Sequence, residues 1–409
     1  MFKETSKELL NFLSKSPTAF HAVENYRQIL NADGFKELLE SEHWDIVPGG
    51  KYYVTRNNTS ILAFKVGTKL DNYSFNIVTS HTDSPTFKVK ENAEIEVKNK
   101  YTQLNTEGYG GMLCATWLDR PLSIAGRVLV SEGNSIVTKL LNIDRDLLMI
   151  PNVAIHMNRA ANDGFKYNLQ VDMLPLLSGG DDRQKDFKQI IADELGVKKE
   201  DILGHDLYLY NRMAPSIWGA NEEFISAGHL DDLQCGFASL KALLAGYNDE
   251  SIDIMACFDN EEVGSGTKQG ADSTLLRDTL IRINNALGKT EEDYHRALAS
   301  SFMLSADNAH AVHPNHPEHT DVTNCTYMNE GVVVKSHAGQ KYTSDGVSMA
   351  VVKSLASGAD VPLQYFANRS DKAGGSTLGN IAMAQASMNA VDIGLPQLAM
   401  HSSYETAEI

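Results

Sequence analysis

At 409 residues, with 42% hydrophobic and 22% charged side chains, the chain has ordinary globular composition, which excludes a fibrous or wholly disordered protein. Its length leaves room for roughly two to three domains. The formal net charge of −17 disfavours nucleic-acid and anionic-membrane partners, since both require a basic footprint. The four cysteines, Cys114, Cys235, Cys257 and Cys325, show no C-x-x-C spacing, so neither a disulfide framework nor a cysteine zinc site is expected, and a reducing compartment fits best.

From the N-terminus, Met1 to Leu13 mixes Lys and Glu with apolar residues at helical spacing, unlike the unbroken apolar core of a signal peptide. No run approaches the roughly 18 apolar residues needed to span a bilayer, so the expected location is the cytoplasm, without an anchor. Two strand-like runs, Ser60 to Val66 and Phe75 to Ser80, lead straight into His81. From about Phe87 to Pro151 the pattern turns to short alternating runs such as Glu94 to Val97 and Arg127 to Val130 with Gly-rich breaks, which predicts a separate β-rich unit. The polar stretch Ser178-Gly179-Gly180-Asp181-Asp182 precedes a predicted helix from Arg183 to Leu195 and a strand over Leu207 to Tyr210. After Ala220, helical spacing at Phe237, Leu240, Leu243 and Leu244 gives way to a buried-strand run, Ile252 to Phe258. This alternation continues to the C-terminus, the mark of an α/β domain interrupted by an insertion. The Gly264-Ser265-Gly266-Thr267-Lys268 run lacks the spacing of a phosphate-binding loop.

Five short segments carry candidate chemistry. In Ser80-His81-Thr82-Asp83, residues two apart in extended backbone face the same way, so one imidazole nitrogen of His81 can bind metal while Asp83 holds the other. Asp231, in Gly228-His229-Leu230-Asp231-Asp232 at a predicted helix start, reads in isolation as an N-cap, yet a carboxylate can also bridge two cations. Asp259-Asn260-Glu261-Glu262 follows a strand directly, where α/β sheets gather ligands. One Glu of that pair can ligate while its neighbour acts as general base. Asp307 follows the strand-like Phe302-Met303-Leu304, and His401 lies near the C-terminus. Each alone is more often structural, but two histidines and three carboxylates with a spare Glu make a complete dinuclear oxygen/nitrogen set. His310, His313, His316 and His319 recur every third residue, but Pro314 and Pro317 break any helix that would align them, so they are read as loop and pocket residues. His156 reads as a core or interface histidine.

The strings Ser16-Pro17-Thr18-Ala19-Phe20-His21, Ser80-His81-Thr82-Asp83-Ser84-Pro85, Thr116-Trp117-Leu118-Asp119-Arg120-Pro121, Asp259-Asn260-Glu261-Glu262-Val263-Gly264 and Gln397-Leu398-Ala399-Met400-His401-Ser402 are those of a recognisable family. The chain resembles the aspartyl aminopeptidase family, within the dinuclear zinc exopeptidases. The resemblance implies a mixed α/β zinc-exopeptidase sheet flanked by helices, formed by residues 1–87 and 222–409, with a β-rich dimerisation domain inserted over 88–221. It implies two zinc ions per subunit, with cobalt or manganese as substitutes, bridged by Asp231. His81 and Asp307 complete one ion, and Glu262 and His401 the other. Glu261 is the implied base and Asp83 the residue orienting His81. His156 lies where the inserted domain reaches a neighbouring subunit's site, and dimers are expected to assemble into a dodecamer. The implied substrates are peptides with N-terminal Asp or Glu, whose side chain Lys335 or Arg369 can pair with, with neutral residues such as Leu as the alternative because relatives differ. Two other readings compete: a hydrolase of N-acyl amino acids, which would not require a free α-amine, and a catalytically silent metal-binding assembly protein, which would not need Glu261.

Overall fold

The computed structural model describes residues 2–179 and 186–409. Contacts divide them into two units: residues 2–83, 216–400 and 405–409 form the first, and 84–179, 186–215 and 401–404 form the second. The predicted boundaries at 87/88 and 221/222 lie close to these divisions, while residues 401–404 group with the second unit. Among the described residues, no helix is long and apolar enough to cross a membrane.

The first unit is mixed α/β and is built on a nine-stranded sheet among the described residues. Its strand order is Lys36–Glu37, Lys51–Arg56, Ser60–Val66, Ser251–Phe258, Ser74–His81, Phe302–Ala306, Asn389–Gly394, Val332–Lys335 and Leu363–Phe366. The four strands Ser251–Phe258, Ser74–His81, Phe302–Ala306 and Asn389–Gly394 run parallel to one another, so their C-terminal ends share one edge. The others include antiparallel partners, which makes the sheet mixed.

Side chains on a strand alternate between faces, and here both faces are covered. Leu62, Phe64, Val66, Ile252, Ile254 and Phe258 join one core with Phe75, Leu276 and Leu280. Ile61, Ala63, Met255 and Cys257 join the other, with Leu9, Phe12, Tyr26, Leu233 and Leu240 from the helices Phe2–Ser14, Ala19–Ala32 and Leu230–Ala245. That double burial explains why Ser60–Val66 reads as an unbroken apolar run rather than an alternating one.

The second unit carries a six-stranded antiparallel sheet among its described residues, in the order Ser135–Asn142, Leu122–Glu132, Ile202–Asn211, Thr86–Val97, Tyr101–Tyr109 and Leu176–Gly179. Its core centres on Trp117, packed edge-on to Phe87 at 5.3 Å, with Leu104, Ile124, Val128 and Leu209. The helix predicted from Arg183 is described from Phe187 to Leu195; Asp186 caps its start by accepting from the Gln189 amide at 2.8 Å, and Gly196 ends it in the left-handed conformation. Positions 180–185, which hold part of the polar stretch and the expected start of that helix, lie outside the described residues.

Phe64 is fully buried in the first core, 5.5 Å from the Tyr52 ring. Phe64→Ala is therefore expected to cost about 3–5 kcal/mol, read as a lowered urea midpoint by circular dichroism. A loss below about 1 kcal/mol would contradict this packing.

Candidate metal centre

Each candidate residue of the first unit sits where one of its four central parallel strands ends or where a helix begins. His81 is the last residue of Ser74–His81 and pairs in register with Phe258. Beyond Phe258 the chain turns through Asp259 and Asn260 into the single helical turn Glu261–Val263, with Asn260 and Gly264 both in the left-handed region. Asp307 follows Phe302–Ala306 directly, its amide donating to the Ile393 carbonyl at 3.0 Å. The neighbouring Gly394 admits this approach, because a Cβ there would lie 2.1 Å from the Asp307 carbonyl oxygen.

The helix Leu230–Ala245 brings in Asp231, although not as an N-cap. Asp231 (φ −83°, ψ 108°) and Asp232 (φ −121°, ψ 22°) are non-helical and joined by a cis peptide bond. Asp231 is instead held by its amide, which donates to Glu405 Oε2 at 3.0 Å. Asp232 is fully buried and accepts from the His81 amide at 3.2 Å.

Asp83 ties these pieces together. Its carboxylate accepts from the amides of Glu261 (3.1 Å) and Glu262 (3.2 Å), and its Oδ1 lies 3.4 Å from His81 Nδ1. His81 Nδ1 is also 3.0 Å from the Asp83 carbonyl oxygen, while Nε2 faces Asp231 Oδ1 at 3.5 Å. One ring nitrogen is thus held by the protein and the other is presented to the carboxylates, the arrangement of a metal-ligating histidine. Ligand atoms of His81, Asp231 and Asp307 all lie within 4.8 Å of one another, as do those of His81, Glu261 and Glu262.

Like charges crowded out of water cannot all ionise. Burial first, then the carboxylates of Asp307, Asp83 and Asp231, push the Glu261 carboxyl up to about 8. Burial and Asp231 raise Glu262 well above the usual range, and burial raises Asp307 against the pull of Lys335. Behind them, burial and Asp83 push Asp259 up to about 7. Burial opposes a charged His81, but the carboxylates of Asp231 and Asp83 outweigh it and hold the ring well above its ordinary value. Imidazole and carboxylate donors suit zinc, cobalt or manganese, and divalent cations would neutralise the crowded acids, so the residues fit the implied metal.

The remaining expectations meet different surroundings. Lys335 is buried rather than open: its ammonium donates to the Asn308 carbonyl at 3.0 Å and lies 3.5 Å from Asp307 Oδ1. Burial works against its charge, but Asp307 and Asp392 raise it above the ordinary lysine value. Arg369 is not a free cation: its guanidinium grips Asp371 with two bonds of 2.9 Å and donates to the Glu318 carbonyl. His156 is not a core residue; it is exposed on the turn Ala154–Asn158 of the second unit. His401 also belongs to the second unit, where its Nδ1 contacts the Gly111 carbonyl oxygen at 2.7 Å.

Sequence reasoning gave no role to Asn308. Its buried amide donates to the Leu230 carbonyl (2.9 Å) and Gln397 Oε1 (2.9 Å) and receives the Cys235 thiol at 3.1 Å. It thereby clamps the Asp307 backbone to the helix that carries Asp231. The only local signal was its place after Asp307 at a strand end.

Residues 12–409 match the model of the aminopeptidase I zinc metalloprotease family (M18). The chain is 48% identical over 406 residues to a probable M18 family aminopeptidase 2 of Clostridium novyi, covering 98% of this chain and 94% of that protein. It superposes with a TM-score of 0.95 on a chain in the cryo-EM structure of the Ape4 and Nbr1 complex, at 35% identity, covering 99% of this chain and 82% of that one. It is similar also to a chain of the S. cerevisiae mApe1 dodecamer, with a TM-score of 0.86 at 28% identity, covering 100% of this chain and 93% of that one.

The raised acids set a pH dependence. Without metal, the folded chain keeps on Glu261 a proton that an unfolded Glu loses near 4.5, so this group destabilises the fold progressively as pH rises from 4.5 through about 8. The raised His81 works in the same direction, since its stabilising charge is lost as pH rises. Thermal unfolding of chelated and zinc-loaded protein is therefore expected to diverge with rising pH, the metal-free midpoint falling relative to the loaded one. Parallel curves between about pH 5 and 8 would contradict it.

Proposed function

The chain belongs to the M18 family of zinc aminopeptidases, and we propose that it removes N-terminal acidic residues from peptides through a dinuclear zinc site. The observation that carries this reading is the gathering of His81, Asp231, Asp307, Glu261 and Glu262 into two overlapping ligand groups that share His81. In this reading the ions would be held by His81, Asp231, Asp307, Glu262 and His401, with Asp231 shared between them. The assignment of His401 rests on the family resemblance. When bound, the ions supply Lewis-acid polarisation of the scissile carbonyl and acidify water near neutral pH.

The other roles fall to the chain's own side chains. Glu261, left over from the ligand set, takes a proton from the attacking water and returns it to the departing amine. Asp83 acts as a positioning residue, because the same carboxylate fixes the His81 ring and the backbone of Glu261 and Glu262. For a substrate side-chain carboxylate the resemblance offers Lys335 and Arg369; each already has an acidic partner, Asp307 and Asp371 respectively, and Lys335 is the one beside the proposed ligand set.

We further propose that the second unit is the dimerisation domain and that the chain forms homo-oligomers built from dimers, up to a dodecamer, in the cytoplasm. In support, Val153 (53%), Ile155 (43%) and Met157 (78%) expose apolar side chains on either side of His156 in the chain. Exposed apolar side chains clustered along such a stretch are the kind a neighbouring subunit would cover, and His156 is proposed to reach that neighbour's substrate.

Glu261→Gln is expected to lower kcat on Asp-anilide by about 10²–10⁴-fold while zinc content by elemental analysis stays unchanged. Activity within about tenfold of the wild type would remove Glu261 as the base. Lys335→Met is expected to raise KM for Asp- and Glu-anilides far more than for Leu-anilide. An equal effect on all three would move the acidic preference elsewhere, and a wild-type preference for Leu would overturn it.

A further inference from the structure

The histidine run at 310–319 takes no part in the buried centre. Two of its members meet a carboxylate on an exposed loop of the first unit: ligand atoms of His316, Glu318 and His319 lie within 4.8 Å of one another. The His316 and His319 rings are stacked, with centroids 5.3 Å apart and planes inclined by 25°. His316 Nδ1 stands 3.0 Å from Glu318 Oε1. In tetrahedral coordination with bonds of about 2.0–2.2 Å, adjacent donor atoms lie about 3.3–3.6 Å apart, so this pair needs to open by only a few tenths of an ångström to span one edge of such a site.

The backbone holds the three side chains without help from metal. Pro317 opens the single helical turn Pro317–His319 with its φ fixed by the ring. The His316 amide donates to the His313 carbonyl at 3.0 Å and the His319 amide to the His316 carbonyl at 3.1 Å. Thr320 Oγ1 donates to the Pro317 carbonyl at 2.8 Å, and the Arg369 guanidinium anchors the Glu318 carbonyl from across the loop. Less ordering then remains to be done on binding. The prolines that deny these histidines a helical face instead fold them onto one another.

We propose that His316, Glu318 and His319 form a further, surface metal site, separate from the buried centre. It takes a divalent transition ion such as zinc or copper(II) through two imidazole nitrogens and one carboxylate oxygen. Two nitrogen donors with one oxygen select these ions over magnesium or calcium, and three protein ligands leave an outer position for water. The site shares no residue with the groups around His81.

The test is zinc content. Chelator-stripped full-length protein and a His316→Ala/His319→Ala variant are dialysed against zinc chloride at about ten times the protein concentration, a free-ligand excess that loads open sites, and bound metal is measured by elemental analysis. The wild type is expected to hold one zinc per chain more than the variant, with equal rates on Asp-anilide, and Glu318→Gln should weaken retention of that zinc. Equal zinc in wild type and variant overturns the proposal. If the double variant folds poorly by circular dichroism, His319→Gln alone reads the same difference. Both chains keep the buried centre, so the difference stands or falls independently of how that centre is loaded.

Discussion

Crowding of negative charge in a place with little water is the constraint on which the molecule's chemistry depends. Asp231, Asp307, Glu261 and Glu262 surround one imidazole, with Asp83, Asp232 and Asp259 close behind. In a low-dielectric site such groups repel strongly and are costly to ionise, and the chain spreads the cost by letting carboxyls hold protons. A cluster of this kind is tolerable only if cations or protons answer it. Lys335 supplies one positive charge beside Asp307, and divalent metal supplies the rest in the proposed function.

Holding such a cluster together requires a scaffold that does not relax. Four parallel strands end at one edge, and Asp83 converts their alignment into side-chain geometry by bonding two consecutive amides and an imidazole at once. Asn308 does the same for Asp307 and the helix of Asp231. Fixed donors of this kind keep ligands from swinging together or apart as protons and metals exchange, which is what preorganisation means here.

The fates of the basic residues show where pattern reading stops. Lys335 and Arg369 look alike as spare cations in the sequence, yet one is buried against Asp307 and the other is spent on Asp371 and a carbonyl. The histidine run reads as loop because prolines break its helix. Folding turns that break into a stacked pair beside Glu318. In each case the deciding contact joins residues through backbone turns and partners that no local period reveals. The Asp231 segment is similar: its place at a helix start suggested a cap, and its non-helical backbone instead leaves the carboxylate facing His81.

Much was nonetheless written locally. Apolar runs marked the strands Ser60–Val66, Ser74–His81 and Ser251–Phe258, because strands buried on both faces must be apolar throughout. Acidic residues directly after such runs marked Asp307 and the Glu261-Glu262 pair, because the mouth of a parallel sheet lies at its strand ends. The motifs likewise carried the family. What the tertiary structure alone decided was which groups share a space: Asp83 with the Glu261 and Glu262 amides, Asn308 with Leu230 and Gln397, Lys335 with Asp307. Those partners are separated by tens to nearly two hundred positions. Periodicity records which way a side chain faces, but the register and order of the strands set what it meets there.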